Sequence, residues 1–195
     1  MSSSDHRVSG FILLVGAVLI TSSIVMSSSR PIVNQRLTST ESLLLFFGAT
    51  AFLCSLPALY SAHSAAAGSL GFFGFLSLQA GVVFFVATAA PPIFFPPFNE
   101  PPGQTPAALL LGTAFIVGLG ATATSVLQAK ILPRPTGLLM WATTAALLYE
   151  FFIAEFLPPV AGQVGAAVFG VLTGITFGWI GWWLVSASYP PDDAA

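Results

Sequence analysis

The chain has 195 residues, 55% of them apolar and only 6% charged, with five Lys+Arg against seven Asp+Glu. A soluble globular domain carries about a quarter charged residues, and a disordered chain lacks the apolar content represented here by 18 phenylalanines; both classes are excluded. A net charge of −2 with no basic patch leaves nothing to hold a phosphate backbone, so nucleic acid is not an expected partner and the lipid bilayer is.

A hydrocarbon core about 30 Å thick takes roughly 17–25 apolar residues of helix. In chain order, runs of that length lie at 8–26, 42–60, 69–90, 107–129, 137–157 and 164–187. They predict an all-α, polytopic transmembrane helical bundle of about six spans, a single integral membrane domain over residues 1–195. The first run, preceded by residues 1–7, has the look of a secretory leader, but no small-residue cleavage site follows and it is read as a retained membrane helix. Every cation and five of the seven acids lie outside the runs, as the cost of charge in hydrocarbon demands.

Six crossings put both termini on one side, together with loops at 61–68 and 130–136. Arg7, Lys130 and Arg134 fall on that side and Arg30 and Arg36 on the other, which predicts cytoplasmic termini. Tyr60, Trp141, Trp179, Trp182, Trp183 and Tyr189 lie near the same face, where amphipathic rings favour the headgroup level. The opposite face is proline-rich. Its segment 91–106 holds seven prolines, with Phe94, Phe95, Phe98, Asn99 and Glu100 between them. Fixed φ and missing N–H donors predict a stiff, extended extramembrane strap that either connects spans, covers a cavity or docks a partner.

Two polar side chains interrupt the hydrocarbon. Glu150, in TTAALLYEFFIAEF, has no Lys, Arg or His in any span to neutralise it, so it is expected to be protonated or hydrogen-bonded. It is either a structural interhelical contact or a polar anchor for a ligand, proton or cation. Gln79, in FLSLQAGVVFF, is the long polar side chain of the third span and a candidate partner for Glu150. Glu155 lies five residues beyond Glu150, about 140° around an uninterrupted helix, and is expected to reach water or Arg30 or Arg36. In the last span Gly162, Ala166, Gly170, Gly174 and Gly178 form a small-residue stripe, the mark of a tight helix contact within the chain or with a partner subunit.

Absences narrow the chemistry. His6 and His63 lie at or beyond span ends, and no Cys/His or carboxylate set has metal-ligand spacing, so there is no haem or metal signature. The single Cys54 forms no intrachain disulfide. The string from Gly118 to Ala123 lacks the third glycine of a dinucleotide turn and lies inside a span. No serine has an evident activating partner, so catalysis is not expected.

From Leu43 to Leu184 the order of features is distinctive: a span ending in LPALYSAHS, a Phe/Gly-rich third span, a variable loop, a fourth span closed by a basic residue, Leu132-Pro-Arg-Pro-Thr-Gly137, and a Gly/Trp-rich last helix. This order resembles a group of small bacterial integral membrane proteins of unknown function. The resemblance implies six helices and transfers no activity or site residue. The sequence therefore predicts a non-catalytic integral membrane subunit that packs with other membrane subunits or holds a hydrophobic ligand, whether lipid, quinone or pigment. The alternative is a small transporter or proton-coupled carrier built around Glu150.

Overall fold

The computed structural model describes residues 3–28, 37–94 and 106–186. Five helices form: α1 (Ser3–Ser28), α2 (Ser39–Phe94), α3 (Pro106–Ala129), α4 (Arg134–Phe152) and α5 (Pro159–Ser186), with a 3₁₀ turn at Ala154–Phe156. Among the described residues there is no strand.

At 1.5 Å per residue the 56 residues of α2 would reach about 84 Å, far beyond one bilayer. The break comes at Gly68, whose φ of 58° and ψ of −164° lie in a region that is essentially restricted to glycine. Tyr60 stacks on Phe75 across the break, ring centroids 4.6 Å apart, so the halves fold back on each other as a helical hairpin. The loop expected at 61–68 is thus a break at one residue, because the Ser/Ala-rich stretch before Gly68 keeps its helix.

Among the described residues five segments are long and apolar enough to cross a membrane: Ser4–Ser28, Ser39–Ala62, Ala66–Ala87, Gly112–Ala129 and Pro159–Ser186. The 19-residue α4, which opens on Arg134 and carries three threonines and Glu150, is not among them. It still runs antiparallel between α3 and α5: Gly112 of α3 meets Phe151 at one end, and Gly137 meets Leu127 at the other. The six segments therefore alternate in direction. α1 packs on α5 and on the first half of α2, the second half of α2 packs on α3, and α4 packs on both α3 and α5.

Phenylalanine fills the centre. Phe52 and Phe177 meet edge-on at 4.1 Å and Phe85 and Phe115 at 5.1 Å, around a cavity of only about 20 Å³. That is room for one water at most. Glycines let the helices approach: a Cβ on Gly74 would lie 2.8 Å from Thr122 N of α3, and one on Gly118 would overlap the Leu78 backbone. Hydroxyls in hydrocarbon bond locally, as Thr122, Thr144 and Thr173 do by donating to the carbonyls of Gly118, Met140 and Phe169.

Three sequence expectations change. The α2 helix begins before residue 42, because Thr38 and Glu41 form a capping box: Thr38 N donates to Glu41 Oε2 at 2.8 Å and Glu41 N to Thr38 Oγ1 at 3.3 Å. Helix also continues through Pro91 and Pro92 to Phe94; proline's fixed φ is compatible with helix, and the lost N–H bonds and the crowding of the preceding turn fall at the helix end. The rest of the strap, with Phe95, Phe98, Asn99 and Glu100, lies outside the described residues. Finally, α4 ends at Phe152, so Glu155 belongs to the 3₁₀ turn and not to the helix of Glu150.

Candidate functional site: an outward groove between α4 and α5

The α4–α5 pair is joined at one end by Trp179 Nε1, which donates to Thr136 Oγ1 at 3.2 Å. Mid-helix, Thr143 and Thr176 hydroxyls lie 2.8 Å apart. Beyond that bond small residues replace bulky ones, and the helices enclose a groove of about 630 Å³. Ala146, Ala161 and Gly165 leave its space, while Val160, Val164 and Val168, all exposed, line α5's share of the outward opening. Its volume falls in the range of small-molecule sites, about 300–1,000 Å³.

Polarity is concentrated on one wall. Tyr149 lines the groove and its hydroxyl donates to the Ala161 carbonyl at 3.4 Å. Glu150 is half-buried beside it, and its Oε1 is buried with no hydrogen-bond partner among the described residues. That oxygen rests on the bare Cα of Gly165, since a Cβ there would overlap both Glu150 Oε1 and the Tyr149 ring. A covered carboxyl oxygen thus lies behind Gly165, next to the groove but not among its lining, and without a donor among the described residues. The groove itself presents an almost wholly apolar lining to which Tyr149 adds the one hydroxyl.

The sequence singled out Glu150 but missed Tyr149 and Gly165. The signal for Tyr149 was its place next to Glu150 in LLYEFF; Gly165 lies on the last helix but off the stripe of fours. Gln79 is half-buried on the second half of α2, which does not share a packed face with α4, so Gln79 and Glu150 are not brought together. In the stripe, Gly170 lies against Ile24 and Gly174 against Thr21 of α1, and Thr21 Oγ1 donates to the Gly170 carbonyl at 3.1 Å. Gly178 faces open space, and the contact passes to Gly181, which meets the Gly10 carbonyl. Steps of four drift by about 40° each around a helix, whereas the seven-residue step from Gly174 to Gly181 returns within about 20°.

The fold and the groove define a class: among the described residues, an all-helical bundle whose apolar helices are long enough to cross a membrane, with aromatic rings packed at its centre and a groove on its outside. No protein-family model, curated protein or solved structure matches the chain.

Proposed function

We propose that this chain is a non-catalytic integral membrane subunit whose α4–α5 groove holds a hydrophobic ligand within the bilayer, with its apolar outer helix faces available to other membrane subunits. The observation that carries this reading is the pairing of an outward groove of about 630 Å³ with a core cavity of only about 20 Å³. A carrier needs a route through its centre that opens to each side in turn, whereas a holding subunit needs only a lateral site. The aromatic packing of Phe52, Phe177, Phe85 and Phe115 favours the second.

The experiment is extraction of the chain with its surrounding lipid into nanodiscs, followed by native mass spectrometry. A hydrophobic small molecule retained in stoichiometric amount, and released by Val164→Trp in the groove, is the expected result. Recovery of the wild-type chain with no retained molecule and no co-purifying subunit contradicts the proposal.

A further inference from the structure

The turn from α3 to α4 carries two cations on a stiff frame. Helix α3 ends with Lys130, whose N–H donates to the Val126 carbonyl at 3.2 Å and whose φ of 57° makes it the one non-glycine residue with positive φ among the described residues. That cap position is usually filled by glycine or asparagine, because a larger side chain is strained there. Leu132 is buried at 2% exposure and pins the turn to the core, and Pro133 and Pro135 fix the entry into α4, where Thr136 N donates to the Pro133 carbonyl at 2.9 Å. Lys130 and Arg134, at the two ends of this frame, are exposed, and neither side chain has an ion pair or hydrogen bond among the described residues. Pro133 also leaves the start of α4 without a side-chain cap, so its positive pole adds to the two cations.

We propose that Lys130 and Arg134 bind the phosphate-bearing headgroup of an anionic phospholipid, whose chains run down the outer face of α4. This rests on reading the bundle as membrane-embedded and is independent of the α4–α5 groove. Depth supports it: Trp179, bonded to Thr136 in the first turn of α4, is the kind of ring that favours the headgroup level. The surface below supports it as well. Arg134, Leu138 and Trp141 are spaced by four and seven residues, so they share one exposed stripe that descends about 10 Å from the cation. The Trp141 ring leans toward α3, within 3.7 Å of where a Cβ on Gly120 would lie, and gives an acyl chain a flat apolar wall between the two helices. Charge above and apolar surface below match a phospholipid better than a soluble anion.

The test places the full chain in nanodiscs of equal parts phosphatidylglycerol and phosphatidylcholine, releases it into mild detergent and counts the retained lipids by native mass spectrometry. Wild type is expected to enrich phosphatidylglycerol by about fivefold per cation, the worth of one Lys or Arg at an anionic surface. Lys130→Gly combined with Arg134→Gln should bring the two lipids to parity, whereas Arg7→Gln, which removes an exposed cation of α1, should leave the enrichment unchanged. Lys130→Gly alone should weaken the enrichment while its unfolding midpoint stays level or rises, because glycine relieves the positive φ. Inorganic phosphate at millimolar concentration should not displace the lipid. Equal retention of both lipids by wild type overturns the site, as does enrichment that survives the double substitution or falls as far with Arg7→Gln. A less stable Lys130→Gly chain that keeps its full enrichment assigns the lysine to the helix end alone and also overturns it. Displacement by phosphate alone makes the turn a soluble-anion site and overturns the lipid.

Discussion

Gly165 decides the shape of the groove by what it lacks. Its missing side chain lets Glu150 Oε1 and the Tyr149 ring lie directly against the α5 backbone, and the same absence opens space beside them. A single methyl there forces both neighbours outward, and overpacking of this kind typically costs about 1–3 kcal/mol. Gly165→Ala is therefore expected to lower the unfolding free energy in detergent by about that amount, and by measurably less in a Glu150→Ala background, where half of the clash is gone. Identical costs in the two backgrounds would show that the methyl does not meet the carboxyl. From sequence alone Glu150 stands out because it is one of two charges within an apolar run. Its setting does not: whether a buried carboxyl finds a donor depends on which helices touch, and Gln79, the expected partner, lies on a helix that packs elsewhere.

At the scale of elements, the alternation of helix directions rests on close seams. Along α1–α5 the contact runs through Gly170, Gly174 and Gly181, with Gly10 facing the last. Gly174→Leu is expected to destabilise the bundle by about 1–3 kcal/mol, because its Cβ would overlap the Thr21 hydroxyl. Gly178→Leu, with nothing within 4 Å, should be neutral or gain up to about 0.8 kcal/mol of helix propensity. The midpoint of SDS-induced unfolding separates them, and equal effects at the two positions would contradict the register of the seam. Element existence is legible in the sequence because each apolar run is of about the length that a bilayer requires. Element ends are less so. The α2 start needed the Thr38–Glu41 capping box, which counting uncharged residues passes over, and the α4 end at Phe152 comes within a run that remains apolar beyond it. The glycines of the α2–α3 seam, Gly71, Gly74 and Gly81, have irregular spacing, so a search for steps of four does not find them.

For the whole molecule, low charge first places the chain in lipid and then limits what the interior can do. Phenylalanine packs at the centre, several threonines bond to their own helix carbonyls, and a groove of about 630 Å³ lies on the outside between α4 and α5. Composition announces the bundle but not the position of the α4–α5 groove, because that position depends on small residues from two helices meeting at one depth. The most direct test is photo-crosslinking in native membranes with benzoylphenylalanine at Val164, inside the groove, and at Val171, exposed on the same helix outside it. A defined small-molecule adduct at Val164 and only heterogeneous lipid adducts at Val171 is the predicted result. The same heterogeneous lipid adducts at both positions would contradict a ligand-holding groove.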